Sequence, residues 1–214
     1  AGREVGVAST KCFTNQVIVL SLISIWFSQI HNINELKRSE YITNLRKLPL
    51  NIKNTVENCF KCIPKFINII NKENLFVLGK GKCEAIAKEG ALKIKEISYI
   101  HAEGYSGSAL KHGPFALLTK DFPVILVASY DTNFAKMLNV YEEIKSRHSP
   151  IIFITNASNQ KTSHIKNIIE VENNSIFSDL LSVIPLQIIS YNLSIANNLN
   201  PDFPRNLAKS VVVE

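Results

Sequence analysis

The sequence lacks any stretch in which basic residues are interleaved with aromatic ones. Its formal net charge of +6 comes from Lys and Arg residues that are scattered along all 214 positions. Nucleic-acid binding requires a basic stripe or patch, so we expect no nucleic-acid partner. A modest excess of positive charge is instead compatible with a small anionic substrate.

Clusters of metal ligands are also lacking. Among the four cysteines, only Cys59 and Cys62 lie close together, and neither a second Cys pair nor histidines accompany them. A structural zinc site needs four such ligands, so this lone pair is a poor candidate. We therefore expect reduced thiols and no bound metal.

No apolar run is long enough to predict a membrane span. The most apolar run covers residues 17–27 and is interrupted by Ser21 and Ser24, whereas about 20 residues are needed to cross a bilayer. We expect a buried helix there and no contact with a membrane. The chain begins at Ala1 without Met, signal peptide or basic segment, so the expected location is the cytoplasm.

The first 70 residues contain no convincing strand. Ser9 or Thr10 is a candidate N-cap for a helix that ends near Ile30. Residues 34–46 and 51–70 are polar and favour helix, and we expect Pro49 and Pro64 to interrupt them.

Beyond residue 70, short apolar segments alternate with helical ones. This alternation predicts an α/β fold with a doubly wound parallel sheet that is covered by helices on both faces. The predicted strands cover 75–78, 123–128, 151–155 and 168–171, and the predicted helices cover 83–97, 133–147 and 179–197, the last kinked at Pro185. Ligands of such sheets bind beyond the carboxyl ends of the strands, here the loops after Leu78, Ala128 and Thr155.

Two segments near the first strand could bear a site. The glycines of Gly79-Lys80-Gly81 would let the backbone approach an anion at a helix N-terminus, although an ordinary strand-to-helix turn explains them as well. Glu89, Lys93 and Glu96 share one helix face. They form either a solvated ion-pair face or, at the mouth of the sheet, groups for proton transfer.

Two further segments allow a structural or a functional interpretation. His112 precedes Gly-Pro, so its ring projects from a turn and serves either structure or catalysis. The tail at 203–210 contains Pro, Arg and Lys, so it either frays or covers an anionic ligand.

Four separated motifs resemble one enzyme family in register along the whole chain. The segments 89–103 and 111–114, the tail from Pro204 to Val211 with Glu214 as last residue, and the segment 4–11 are similar to the sugar-isomerase (SIS) part of glutamine–fructose-6-phosphate aminotransferases. The resemblance implies that residues 1–70 are a helical remnant of a first SIS domain with its linker. Residues 71–198 would be a second SIS domain, and 199–214 a tail that covers the active site.

The family couples a glutaminase domain to two SIS domains and makes glucosamine 6-phosphate from fructose 6-phosphate and glutamine, without metal or organic cofactor. By resemblance, Glu96 corresponds to the base that moves a proton between C1 and C2, and Lys93 assists it. His112 corresponds to a ring-opening histidine supplied by the neighbouring subunit, which implies a homodimer. The remaining residues expected to line the sugar pocket are Glu89, Lys209, Ala208 and the backbone of Val7.

Several features depart from the family pattern. Ala109 stands where a glutamate is common, and Lys80 replaces an arginine, which keeps the charge but loses a bidentate donor. The Ser/Thr-rich phosphate loop of the first SIS domain is absent, so we expect the chain alone to be inactive. The alternative is a non-catalytic SIS module that senses a sugar phosphate, because fold alone does not decide function.

Overall fold

A five-stranded, entirely parallel sheet forms the centre of the computed structural model, which describes residues 2–210. The strand order is β2-β1-β3-β4-β5. The strands are β1 (Asn74–Gly79), β2 (His101–Ser106), β3 (Val124–Val127), β4 (Ile151–Thr155) and β5 (Ile168–Glu170). The predicted α/β class with a parallel sheet is therefore confirmed.

Helices cover both faces of the sheet. They are α1 (Lys11–Ile30), α2 (Glu35–Cys62), α3 (Ile67–Ile70), α4 (Lys82–Ser98), α5 (Phe134–Lys145), α6 (Asn159–Thr162), α7 (Ser178–Leu181) and α8 (Val183–Ala196). Short 3₁₀ helices occupy Ile63–Phe66, Gly107–His112 and Pro114–Leu117.

Alternation along the buried strands creates two separate cores. In β1, Leu75 and Val77 pack with α2, α4 and α8, whereas Phe76 and Leu78 pack with α5 on the opposite face. Successive side chains of a strand point to opposite faces, so one apolar run serves both layers. Because both faces of these strands are buried, each strand is a continuous apolar segment of the sequence.

Strand β2 was not predicted. It pairs in parallel with β1 at the edge of the sheet, with His101 opposite Asn74 and Ser106 opposite Gly79. Only Ala102 among its residues is fully buried, and its polar neighbours give it no apolar run. An edge strand needs fewer buried positions than a central one, so its sequence carries a weaker signal.

Prolines act differently from the prediction at one position. Helix α2 continues through Pro49, so the expected interruption there is wrong. The proline removes one backbone hydrogen bond. Leu48 before it and Thr55 after it are both buried, and the helix is unbroken between them. Pro64 does mark the end of α2, and the expected kink near Pro185 is a break at Ser182, between α7 and α8.

Helix α1 forms as predicted, but its expected burial is wrong. No residue of α1 is buried. Phe13, Val17 and Ile18 pack partly on the core, whereas nothing among the described residues covers the opposite side, where the exposed apolar residues are Val19, Leu20, Leu22, Ile23, Trp26, Phe27 and Ile30. Both α1 and the segment Ser178–Ala196 are long and apolar enough to cross a membrane by length and composition alone, and the second is mostly buried in the core.

Helices α4 and α8 approach closely because Gly90 has no side chain. A Cβ atom at this position would lie 2.4 Å from Cδ1 and 2.9 Å from Cβ of Leu186. Such contacts force one helix to shift, since packed interiors have no room for an added methyl group.

We expect Gly90→Ala to lower the free energy of unfolding by about 1–3 kcal/mol, despite the better helix propensity of alanine. Leu186→Ala alone removes core contacts and should cost about 2–5 kcal/mol. The double variant should be less destabilised than the sum of the two, because the truncated leucine leaves room for the methyl group. Urea unfolding of all four proteins measures this coupling, and strictly additive losses would contradict the close contact.

Candidate active site

Lys93 is a buried cation held between two carboxylates on α4. Its Nζ lies 2.7 Å from Oε2 of Glu96 and 3.5 Å from Oε1 of Glu89, and only 3% of the residue is exposed. The helix places residues three and four positions apart on one face, which explains how the three side chains meet. A lysine with so little exposure needs such partners.

Burial also changes the acidity of one carboxylate. The pKa of Glu89 is raised because burial disfavours its charged form, and the nearby Lys93 only partly offsets this. The three side chains therefore form a compact group in which burial disfavours the charged form of Glu89.

Lys93 borders a cleft of about 410 Å³. One wall is the second half of α4 together with α8, and the other walls come from the two ends of the described chain. The lining residues besides Lys93 are Arg3, Glu4, Val5, Gly6, Ala8, Thr10, Lys11, Ile97, Gln187, Ser190, Tyr191, Pro201 and Asp202.

One of the two interpretations of this group places it at the mouth of the sheet, and that position is wrong. Helix α4 begins at Lys82, just past the carboxyl end of β1, and returns along the sheet towards the start of β2. Lys93 is therefore displaced by roughly 16 Å along the helix axis from the carboxyl edge. The rule for open α/β sheets concerns the loops at that edge, and this cleft lies elsewhere.

Glu4 is a cleft residue that the sequence did not single out. Its Oε1 accepts hydrogen bonds from the backbone N–H of Thr10 at 2.8 Å and of Cys12 at 3.4 Å. Thr10 is the N-cap residue of α1 but its own side chain makes no capping bond, so the predicted role of Ser9 or Thr10 passes to this carboxylate. A glutamate six residues before the N-cap residue is not a recognised capping pattern, so nothing in the sequence pointed to this role.

Several hydrogen bonds lower the pKa of the Glu4 carboxyl group. Burial alone would raise its pKa, but hydrogen bonds from Cys12, Thr10 and Lys209 outweigh that effect and lower the pKa to about 2. The carboxylate is thus charged at neutral pH and joins the start of α1 to the tail.

The tail meets the start of the described chain beside the cleft. Nζ of Lys209 donates to the carbonyl oxygen of Gly6 at 2.7 Å and to Oε2 of Glu4 at 3.3 Å. The N–H of Val7 donates to the carbonyl oxygen of Asp202 at 3.0 Å. Lys209 and Val7 therefore lie on the side of the cleft, and Ala208 is exposed next to Lys209. Residues 211–214 of the tail motif lie outside the described residues.

His112 lies apart from the Lys93 group within one chain. It ends the 3₁₀ helix Gly107–His112 and is exposed. Leu110 of that helix packs into the core that contains α5, and Lys111 pairs with Glu143 of α5 at 3.0 Å. Because α4 covers the other face of the sheet, the sheet separates His112 from Lys93.

The turn Gly79-Lys80-Gly81 has a structural reason for both glycines. A Cβ on Gly79 would lie 2.1 Å from the carbonyl oxygen of Cys83, and Gly81 has φ 63° at the N-cap of α4. These features support the interpretation as an ordinary strand-to-helix turn. Within residues 2–210, no group of three or more His, Cys, Asp or Glu side chains is arranged to hold a metal.

Comparisons with known proteins agree with this architecture. Residues 68–197 match the SIS domain family, so the chain belongs to the SIS domain family. The C-terminal domain of glucosamine-fructose-6-phosphate aminotransferase from Francisella tularensis has a similar structure, with a TM-score of 0.82 and 33% identity over 94% of this chain and 58% of that one.

Curated relatives narrow the resemblance further. Over its whole length, the chain is 44% identical to a protein of Acanthamoeba polyphaga mimivirus named "Probable glutamine--fructose-6-phosphate aminotransferase [isomerizing]". It is 40% identical to a Chlorobaculum tepidum protein with the name "Glutamine--fructose-6-phosphate aminotransferase [isomerizing]". In both comparisons the chain spans only 35% of the relative's length.

The low pKa of Glu4 gives a prediction for pH. The carboxylate stabilises the fold fully above about pH 4.5 and loses this contribution as pH falls towards 2. We expect Glu4→Gln to lower the free energy of unfolding by about 1–2 kcal/mol at pH 7, a modest loss because its Lys209 partner is half exposed. The difference from the unmodified protein should shrink below pH 4.5, be mostly lost near pH 2 and vanish below it.

Urea unfolding between pH 2 and pH 7 provides this measurement. Glu57→Gln, at an exposed position of α2, is the control for loss of one carboxylate far from the cleft. A Glu4→Gln deficit that stays constant down to pH 2 would show that the charge of Glu4 does not support the contact.

Proposed function

We propose that this chain belongs to the sugar-isomerising part of a glutamine–fructose-6-phosphate aminotransferase and acts on fructose 6-phosphate and glucosamine 6-phosphate. The observation that carries the proposal is the buried Lys93 between Glu89 and Glu96, beside a cleft completed by both ends of the described chain. A module that only binds a sugar phosphate has no need of a buried proton-transfer group. The similarity to named aminotransferases supports the same conclusion.

The proposed division of the chain follows the resemblance. Residues 1–70 would be the end of a first SIS domain with its linker, 71–198 a second SIS domain, and 199–214 a tail over the active site. The exposed apolar side of α1 would then pack against the rest of the first domain. The glutaminase domain of the complete protein would supply ammonia, and the proposed compartment is the cytoplasm.

Glu96 is the proposed base. Its carboxylate would take a proton from C1 of the sugar, after nitrogen has joined C2, and the resulting carboxylic acid would return that proton to C2. The C1 hydroxyl would lose its proton as C1 becomes the aldehyde carbon and the nitrogen would gain one, so that no atom is gained or lost. Apart from the ion pair with Lys93, Oε2 of Glu96 is buried without a hydrogen-bond partner in the part of the chain that the structure describes. Glu96 itself does not line the cleft, so the proposal requires the carboxylate to reach the sugar from beside Lys93, which does line it. Lys93 would hold the carboxylate in place and assist at the reacting end.

The remaining roles concern the two ends of the sugar. Lys209, Ala208 and the backbone of Val7 would contact it from the tail side, and Glu89 would line the pocket. Because the sheet separates His112 from Glu96 within one chain, His112 would open the sugar ring in the site of a second subunit of a homodimer. The proposed reaction needs neither a metal nor an organic cofactor.

The base is tested by Glu96→Gln in the full-length protein. We expect sugar isomerisation to fall by about a hundredfold or more, because an amide cannot accept the proton, while glutamine hydrolysis is retained. Glu84→Gln, which removes a carboxylate of the first turn of the same helix that pairs with Lys88, is the matched control and should keep both activities. Retained isomerisation in Glu96→Gln would exclude Glu96 as the base.

The chain alone gives a second test. We expect the isolated 214 residues to show little or no interconversion of sugar phosphates, because the phosphate-binding loop expected from the resemblance is absent from the chain. A coupled assay with fructose 6-phosphate or glucosamine 6-phosphate measures this. Turnover close to that of the full-length protein would refute the expectation. If the full-length protein binds the sugar phosphate but never converts it, the sensor alternative replaces the enzyme.

A further inference from the structure

The tail from residue 199 to 210 has little buried surface of its own. Within residues 201–210 only Pro204 is buried, and Lys209 is half exposed. A segment of this kind frays unless specific contacts hold it. The position of the tail therefore depends on a few individual contacts.

Tyr99 makes two contacts with one residue of this tail. Its hydroxyl oxygen accepts a hydrogen bond from the backbone N–H of Arg205 at 2.7 Å. The guanidinium carbon of the same Arg205 lies 4.2 Å from the centre of the Tyr99 ring, within the range of cation–π attraction. One aromatic side chain thus holds both the backbone and the side chain of Arg205, next to the buried Pro204.

The backbone of Tyr99 is in a conformation that side chains disfavour. Tyr99 follows the last residue of α4 with φ 61° and ψ 11°, the left-handed region that usually holds glycine at a helix end. Glycine would suit the helix end better, so the backbone conformation does not explain why a tyrosine stands at this position. Its contacts with the tail are what the side chain provides.

We propose that Tyr99 is a positioning residue that clamps Arg205 and thereby holds Lys209 against Glu4 and Gly6 at the cleft. Tyr99 lies three positions after Glu96 on the same helix end, so the clamp ties the tail to the helix that carries the proposed base. The consequence for the reaction rests on the proposed function, whereas the clamp itself rests only on the contacts of Tyr99.

The clamp is tested by amide hydrogen exchange in the full-length protein without any sugar phosphate. In Tyr99→Phe the ring remains and one hydrogen bond is lost, so exchange in residues 203–207 should rise about threefold to tenfold. In Tyr99→Gly both contacts are lost while the helix end is relieved, so exchange across 201–210 should rise further. The melting temperature of Tyr99→Gly should stay unchanged or increase.

His148→Gly is the matched control. His148 also has φ 61°, three residues after the last residue of α5, but is exposed and far along the chain from the tail. The His148→Gly variant should likewise relieve a left-handed backbone conformation, but amide exchange in residues 201–210 should not change. Tail exchange that equals that of the unmodified protein in both Tyr99 variants would overturn the proposal. A lower melting temperature of Tyr99→Gly, with faster exchange throughout α4, would also overturn it, because Tyr99 would then support the helix.

The effect on the reaction is tested by a double-mutant cycle with Lys209→Ala. If Tyr99 acts through the tail, Tyr99→Gly and Lys209→Ala should each slow sugar isomerisation, and the double variant should be no slower than Lys209→Ala alone. If the loss of isomerisation rate in the double variant equals the product of the two single losses, Tyr99 does not act through Lys209. Since the exchange experiment contains no substrate, its result stands even if the proposed reaction is wrong.

Discussion

The ion pair between Lys93 and Glu96 is the contact on which the site depends. An unpaired ammonium in a place with 3% exposure would cost several kcal/mol, and a close carboxylate at 2.7 Å offsets much of that cost. Burial disfavours the charged form of the second carboxylate, Glu89, as its raised pKa indicates. Apolar residues of the same size would pack equally well, so stability alone gives no reason for three charged groups at this point of α4.

The fold was predictable where the burial is two-sided. Strands β1, β3 and β4 are buried along nearly their whole length, and continuous apolar runs between helical segments indicate such strands. Strand β2 escaped prediction because an edge strand with one fully buried residue leaves no such run. The interruption expected at Pro49 was wrong for a related reason, since a local sequence pattern does not show the packing on both sides of a proline.

The site was predictable only in part, because several of its residues are far apart in the sequence. The spacing of Glu89, Lys93 and Glu96 gives their shared helix face directly. Gln187, Asp202 and Glu4 reach the same cleft from distant parts of the chain, and no local pattern marks them. The general rule about carboxyl edges gave the wrong end of α4, because it describes ligands of the sheet itself, whereas this cleft forms between helices and chain ends.

The bond between Glu4 and Lys209 joins residues that are 205 positions apart. Closing so large a loop has an entropic cost that one half-exposed ion pair cannot offset by itself, so this contact depends on the sheet and its helices being in place. During synthesis, Glu4 has no such partner at the cleft until Lys209 has left the ribosome. A copy whose synthesis has not reached Lys209 therefore has an open cleft, and the order of translation delays this wall until the sheet and its helices have been made.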